Sequence, residues 1–245
     1  MAKVEEITPY GSADPKGRQV EQMFDSIAPA YDLMNRAMTL GIDRRWRAKA
    51  VGMLGAPGRI LDVATGTGDL ALLLARRIPG SEIVGVDLSE GMIAVGRKKI
   101  ADAGLADRIT LRAADCLNLP FADNSFDCIT VAYGVRNFAD IPAGLREMQR
   151  VLRPGGRLCI IELSVPTNPL VKPFYNLYTR GIIPLMGRIV SHDSRAYSYL
   201  PESIAAVPQG PAMTALMEAA GLSSATFRRL TFGVCTIYLA EKFAD

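Results

Sequence analysis

The first residues whose types and spacing point to chemistry lie in a short glycine-containing segment, DVATGTGD at positions 62–69. It separates an apolar run typical of a buried strand from a run typical of a helix. Glycines at positions 66 and 68 permit a tight turn and let a ligand approach the backbone closely. The pattern Gly66-x-Gly68-x-x-Ala71 fits the fingerprint of dinucleotide-binding proteins, but taken alone it is a weak signal that a second class of cofactor also fits.

Charge distinguishes the two classes of cofactor. Asp62 and Asp69 flank the loop, and a carboxylate there would repel the pyrophosphate of a dinucleotide. S-adenosylmethionine has no phosphate, and its amino group and sulfonium are cationic, so acidic neighbours favour it. A helix-capping role explains Asp69 about equally well.

Further acids follow the next two strands. Asp87 ends the run EIVGVD, where a carboxylate can accept hydrogen bonds from both ribose hydroxyls. Asp115 and Cys116 follow the third strand, where an acid can accept from the adenine amino group and a backbone N–H can donate to the ring. The alternative for Asp115 is an ordinary turn residue. Because the carboxyl ends of parallel strands open onto one crevice, Asp62, Asp87 and Asp115 together predict a single site for S-adenosylmethionine. A nicotinamide oxidoreductase is disfavoured by Asp62 and Asp69.

Alternating strands and helices must position these residues. Apolar runs predict strands at 59–64, 82–87, 108–113, 126–132 and 157–163. Helical spacing predicts helices at 69–78, 91–103, 141–152 and 209–220. This order predicts an α/β, doubly wound, Rossmann-like fold with a mostly parallel seven-stranded sheet and helices on both faces. The last two strands, at 224–230 and 234–241, are joined by Phe232-Gly233 and predict an antiparallel C-terminal hairpin.

The remaining segments complete one domain, at 18–245. Residues 1–17 are polar and contain two prolines and two glycines, which predicts a flexible leader. Residues 18–54 have helical apolar spacing with interruptions, which predicts a cap of two or three short helices. Residues 165–207 break the alternation and predict an insertion that covers the substrate.

Composition excludes several classes of protein. A formal net charge of +3 without a clustered basic stripe is not typical of a nucleic-acid binder. The four cysteines form no Cys-x-x-Cys pair and His192 is the only histidine, so no metal site is expected. We find neither a signal peptide nor an apolar run long enough to span a membrane, and therefore expect a cytoplasmic location.

Several stretches resemble the ubiquinone/menaquinone biosynthesis C-methyltransferases, a family of class I S-adenosylmethionine-dependent methyltransferases. The glycine loop and RVLRPGG at 150–156 are general to the superfamily, whereas FDSIAPAYDLMN at 24–35 and YGVRN at 133–137 are much more specific. The remaining matching residues are Tyr197, Tyr199, Leu200, Ser203 and Ile204. The resemblance runs from about residue 18 to the C-terminus.

The resemblance implies S-adenosyl-L-methionine as the cofactor and a polyprenylated quinol as the substrate, methylated on a ring carbon. Conversion of a demethylmenaquinol to a menaquinol fits best, and a ubiquinone-precursor benzoquinol or another lipid-like molecule is the alternative. A non-catalytic scaffold is disfavoured by the intact motifs. A serine that some members use for the cofactor is replaced by Ala132. The resemblance assigns cofactor contacts to Gly66, Thr67, Gly68, Asp87, Asp115 and Cys116, and it implies that Tyr31 closes over the cofactor. The charge argument adds Asp62 to the expected cofactor contacts.

Arg136 and Asn137 are the candidate catalytic pair, because they follow the fourth strand, whose end faces the methyl donor. A ring carbon is a weak nucleophile until a neighbouring phenolic hydroxyl loses its proton. Arg136 stays cationic, so it would stabilise the phenolate or polarise a water, while Asn137 would orient the hydroxyl or that water. Two alternatives stay open: Arg136 braces its loop, or His192 acts as a base, although a lone histidine in a polar loop is more often a surface residue.

Residues 170–190 are apolar but contain two prolines and three basic residues, so they predict a lid and not a membrane span. The alternative is that their side chains pack on the core. The basic residues Lys172, Arg180 and Arg188 would rest near anionic lipid headgroups and give peripheral membrane contact. The sequence also leaves a homodimer open. The residues expected to line the lid are Phe174, Tyr175, Tyr178, Ile182, Ile183 and Met186.

Overall fold

A seven-stranded sheet in the order β3-β2-β1-β4-β5-β7-β6 forms the centre of the computed structural model, which describes residues 2–182 and 194–244. The strands β1 to β5 are parallel, and β7 pairs antiparallel with both β5 and β6. The predicted fold class and C-terminal hairpin are confirmed. The strands are β1 Arg59–Val63, β2 Glu82–Asp87, β3 Ile109–Ala113, β4 Phe126–Ala132, β5 Leu152–Leu163, β6 Leu222–Leu230 and β7 Cys235–Lys242.

Helices cover both faces of the sheet, as their apolar spacing predicts. On one face α3, α4 and α5 pack through residues such as Trp46, Leu74 and Ile93. On the other face α6 and α9 pack through Leu145 and Met213. The helices are α1 Lys16–Ile27, α2 Tyr31–Thr39, α3 Asp43–Val51, α4 Asp69–Arg77, α5 Glu90–Asp102, α6 Ile141–Val151, α7 Lys172–Leu177, α8 Ser194–Ala206 and α9 Pro211–Ala219.

The N-terminal segment differs from the expected flexible leader. Residues Lys3–Glu6 form a 3-10 turn in which Val4 is fully buried in the core. The Glu5 carboxylate accepts a hydrogen bond of 2.8 Å from the Ile141 backbone N–H. The segment is held because it supplies an apolar side chain and an N-terminal cap to α6, and composition alone shows neither contact.

The described part of the lid stretch, residues 170–182, forms no long helix, as the proline at position 173 predicts, whereas the 13-residue α8 forms the C-terminal part of the 165–207 insertion. A short helix, α7, continues into a π-helical turn at Tyr178–Ile182. Ile183, Met186, Arg188 and His192 lie outside the described residues. Among residues 2–182 and 194–244, no helix is long and apolar enough to cross a bilayer.

Candidate active site

Two cavities meet at the carboxyl ends of the parallel strands. The smaller, of about 520 Å³, lies beyond β1, β2 and β3 and includes Gly66, Asp87 and Asp115 in its wall. The larger, of about 660 Å³, lies between the helical cap and the insertion. Tyr31 and Tyr133 line both cavities. Tyr31 and Tyr133 therefore lie where the two cavities adjoin, within reach of a molecule in either one.

Asp87 is fixed in the smaller cavity by backbone donors. One carboxylate oxygen accepts from the Gly66 N–H at 2.8 Å, and the other accepts from the Ser89 N–H at 3.0 Å. Burial raises the pKa of Asp87, and these two N–H groups oppose that rise. Each oxygen retains a lone pair for a further donor, which suits a pair of ribose hydroxyls.

The glycine loop has two different functions along its length. Gly66 has φ +56°, and a Cβ there would approach the Tyr31 ring to 3.9 Å. Gly68 has φ +77° and faces Leu111 and Ile100 on the sheet side, so it supports loop packing and lines neither of the two cavities. Gly66 is therefore placed to contact a ligand in the smaller cavity, whereas Gly68 is not.

Asp62 lies beneath the loop, almost fully buried. Its two oxygens each accept a hydroxyl hydrogen bond of 2.7 Å, one from Thr65 and one from Thr130. Burial raises the pKa of Asp62 to about 6, and the two hydroxyl bonds oppose the rise. Together with Thr67 it borders a small recess of about 30 Å³ next to Tyr31. Its established contacts hold the loop together.

A polar cluster joins the helical cap to the loop. The Thr67 hydroxyl donates to Asp32 at 2.6 Å. The Lys99 ammonium lies 2.6 Å from Asp32 and 2.5 Å from Asp69. We call Asp32, Thr67, Asp69 and Lys99 the cap latch. It holds α2, which begins at Tyr31, against the loop.

The cap latch corrects part of the charge argument. Although burial alone would raise the pKa of Asp69, Lys99 and Arg47 lower it, and these two cations offset its charge. Asp69 therefore does not act as a free anion that repels pyrophosphate, as the sequence suggested. Lys99 could not be identified as part of the site from the sequence, because it lies on the helix predicted at 91–103, where lysines are usually solvated.

Asp115 and Cys116 line the far end of the smaller cavity. One Asp115 oxygen accepts a hydrogen bond of 2.9 Å from the Leu117 N–H. This bond stabilises a local turn, as the alternative interpretation of Asp115 as a turn residue predicts. The side chain is exposed, so its other oxygen is available to a ligand. Burial raises the pKa of the Cys116 thiol, which keeps it protonated and unreactive.

Arg136 and Asn137 are divided between the two cavities. Arg136 lines the larger cavity and Asn137 lines the smaller one. The Arg136 guanidinium is buried, with Nη1 2.9 Å from the Glu162 carboxylate and donating to the Tyr133 carbonyl. Its Nε has no hydrogen-bond partner in the described part of the chain, and neither has the Asn137 side-chain oxygen. Both therefore retain polar capacity for a bound molecule.

Glu162 was missed by the sequence argument. It is the one acidic residue in the run RLCIIEL of β5, and an acid that follows four apolar residues within a buried strand is a usable signal. Burial by itself would lower the pKa of Arg136, but the Glu162 carboxylate raises it. Glu162 therefore keeps the guanidinium cationic, and it also accepts from the Arg136 backbone N–H at 3.2 Å.

The described lid residues Phe174, Tyr175 and Tyr178 line the larger cavity. Phe174 is 75% exposed, so it does not pack into the core. The Tyr178 hydroxyl donates to the Met38 carbonyl at 2.9 Å and ties the insertion to α2. The predicted role of these residues in substrate contact stays a prediction.

Solved structures show which known fold this chain has. A methyltransferase from Thermotoga maritima, described as S-adenosylmethionine-dependent and a possible histamine N-methyltransferase, superposes with a TM-score of 0.66 at 18% identity, covering 91% of this chain and 99% of its own. The fold is that of the class I S-adenosylmethionine-dependent methyltransferases. The chain belongs to the ubiE/COQ5 methyltransferase family, whose model matches residues 12–242.

Curated relatives agree with this assignment. The chain is 50% identical to the demethylmenaquinone methyltransferase of Bacteroides fragilis over 97% of this chain and 98% of the relative. It is 46% identical to a ubiquinone/menaquinone biosynthesis C-methyltransferase of Geobacter sulfurreducens, covering 98% of this chain and 94% of the relative. The predicted family is confirmed, and at this level so are the methyltransferase activity and the S-adenosyl-L-methionine cofactor.

Proposed function

We propose that this chain transfers a methyl group from S-adenosyl-L-methionine to a ring carbon of a polyprenylated quinol, converting a demethylmenaquinol to a menaquinol. The single observation that carries the proposal is the junction of the two cavities at Tyr31 and Tyr133, with Arg136 in the wall of the larger one. The names of the relatives support the choice of substrate.

The smaller cavity has the donors and acceptors that this cofactor needs. Asp87 offers carboxylate oxygens to ribose hydroxyls, and Asp115 offers one to an adenine amino group. Tyr31 covers Gly66, where the absence of a side chain leaves room for the methionine part. When bound, the cofactor supplies an electrophilic methyl group, so the protein has to bind, orient and exclude water.

Arg136 supplies the charge that the acceptor needs. A buried guanidinium stabilises a phenolate in the larger cavity, and a phenolate places negative charge on the neighbouring ring carbon. Glu162 fixes this guanidinium through Nη1, and Nε has no hydrogen-bond partner in the described part of the chain. Because Arg136 remains protonated, it lowers the pKa of the phenol and does not take up the proton itself. In the net reaction, the sulfur–methyl bond breaks, the ring carbon–methyl bond forms, and one proton is released to water at the cavity opening.

The side chains around Arg136 favour an apolar acceptor. The larger cavity is bordered by Met38, Ile42, Leu163, Phe174 and Ile204, among others. Such a wall suits a quinol ring and the first part of an isoprenoid tail, and it excludes water from the reacting atoms.

A benzoquinol precursor of ubiquinone is the second candidate substrate, and the Geobacter relative's name favours it. A methylation assay that offers demethylnaphthoquinol and demethylbenzoquinol separately, with products identified by mass, distinguishes the two. We expect ring methylation of the naphthoquinol. Methylation of the benzoquinol alone would transfer the proposal to that substrate, and methylation of neither would reject it.

A further inference from the structure

Five large apolar side chains around the larger cavity are exposed to solvent: Leu40, Leu170, Phe174, Leu177 and Phe232, between 68% and 85% exposed. We call them the apolar rim. They are five of the eight exposed large apolar side chains in the described part of the chain. Single exposed apolar residues are common, but a concentration around one opening marks an interaction surface.

Three segments distant in sequence bring the apolar rim together. Leu40 and Phe174 line the cavity itself. Leu177 lies one helical turn after Phe174 in α7, and Leu170 lies two residues before α7 begins. Phe232 follows Thr231, which also lines the cavity.

Hydrogen bonds hold these three segments in place. The Tyr178 hydroxyl binds the Met38 carbonyl at 2.9 Å, and the Trp46 ring N–H donates to the Thr231 hydroxyl at 2.8 Å. These hydrogen bonds therefore fix the positions of the rim segments around the cavity opening.

The backbone at two rim positions is unfavourable for the residues present. Leu40 has φ +51° and Phe232 has φ +57°, in the left-handed region that glycine or asparagine usually occupies. Neither large side chain is buried in return, so folding does not explain why apolar residues stand at these two turns.

Charge indicates what covers the apolar rim. Arg45 lines the cavity and is exposed, and Arg44, Lys172 and Arg229 are exposed in the same three segments. The one acid in the described cavity wall is Asp43, which is buried and bound to Arg47. These cations would repel those of a second copy of the chain, whereas they complement an anionic lipid surface.

We propose that the apolar rim inserts into the surface of a lipid bilayer, so that the larger cavity opens directly onto the membrane. The inference rests on the proposed function, because a polyprenylated acceptor would be dissolved in that bilayer. The tail could then remain in lipid while the ring enters the cavity. The docking surface thereby includes segments far outside the 170–190 lid.

Vesicle co-sedimentation of the full chain tests this docking without substrate. The test variant combines Leu177→Gln with Phe232→Asn, two positions that do not line the cavity. Asparagine suits the left-handed backbone, so this variant should unfold at the same temperature as the wild type or higher. The control is Phe243→Asn, an exposed apolar residue after β7, at the opposite end of the sheet.

We expect the wild type to bind vesicles containing phosphatidylglycerol more tightly than pure phosphatidylcholine vesicles, and the double variant to bind at least about tenfold more weakly. The control should bind as the wild type does. Equal binding of all three proteins, or no binding by the wild type, would overturn the proposal. So would a wild-type dimer that the double variant converts to a monomer, because the rim would then bind a second copy.

Activity on two acceptors separates this proposal from the proposed function. On a tailless demethylnaphthoquinol in solution, the double variant should match the wild type, while on a prenylated quinol in vesicles it should be slower. Equal loss on both acceptors would contradict membrane docking. Failure of the wild type on the tailless acceptor would count against the proposed substrate, while the substrate-free sedimentation result would still stand.

Discussion

The two cavities are built in opposite ways. The smaller one is bounded by a loop and strand ends whose polar groups are already hydrogen-bonded to each other, as at Asp87 and Gly66. The larger one is bounded by apolar side chains from the cap, the insertion and the β6–β7 turn, with the buried cation Arg136 in its wall. Under the function proposed above, cofactor binding would be set by the sheet, and acceptor choice by the segments added around it.

The largest expected effect is a loss of turnover on substitution of Arg136, in the wall of the larger cavity. Replacing Arg136 with Ala should lower kcat by about 10²–10³, the cost of removing a preorganised charge that stabilises the reacting anion. The affinity for S-adenosyl-L-methionine, measured by calorimetry, should stay within about twofold because Arg136 lines only the larger cavity.

Arg136→Ala also leaves the Glu162 carboxylate buried without its partner, which could unfold the protein. The combined variant Arg136→Met with Glu162→Gln removes both charges and provides the control. If it is folded and turns over at the wild-type rate, Arg136 only braces its loop.

The next largest effect is on stability at Asp62, on the cofactor side. Its pKa of about 6 in the fold lies above its ordinary value of 3.8, so the folded protein holds the proton more tightly than the unfolded chain. Stability should therefore fall as the pH rises between these values and level off above about pH 6.

An asparagine at position 62 cannot ionise. The Asp62→Asn variant should therefore not lose stability as the pH rises. Urea unfolding should show the free energy of the wild type falling by about 2–3 kcal/mol relative to the variant between pH 4 and pH 8. A constant difference between the two proteins across that range would show that Asp62 keeps an ordinary pKa.

A smaller effect is expected at the cap latch. Lys99→Met removes the cation between Asp32 and Asp69 and should loosen Tyr31 over the loop. We expect cofactor binding to weaken about tenfold in calorimetry. The neighbouring Lys98→Met is the matched control, because Lys98 pairs with Asp102 on the surface. Equal cofactor affinities in the two variants would show that the cap latch does not contribute to cofactor binding.

The smallest effect is expected at Asp115. Its carboxylate is exposed and already accepts from the Leu117 N–H. Asp115→Ala should weaken cofactor binding about threefold, the cost of one exposed hydrogen bond. A loss as large as that of Lys99→Met would mean that the adenine end contributes more than its exposure suggests.

The cofactor side could be predicted because it depends on local order along the chain. Asp87, Asp115 and the glycine loop each follow a strand, and parallel strands bring such ends to one crevice. The partners of these residues could not be predicted. Lys99 joins Asp32 and Asp69 across three elements, and no local pattern encodes that meeting.

The acceptor side was predicted only in outline. The lid residues were identified from an interrupted apolar run, but Leu40 and Phe232 come from other parts of the chain and join them through tertiary contacts. The prediction of a flexible N-terminal segment failed for the same reason, because Val4 is buried by residues far away in sequence. Periodicity reports which face of an element is apolar, not which distant segment covers it.

The most direct test of the account is a crystal structure of the chain with S-adenosylhomocysteine and a short-tailed demethylnaphthoquinol. We expect S-adenosylhomocysteine in the smaller cavity with its ribose bound to Asp87, and the quinol ring in the larger cavity with an oxygen bound to the Arg136 guanidinium. The two ligands should meet between Tyr31 and Tyr133. A quinol ring bound away from Arg136, or outside the larger cavity, would contradict it.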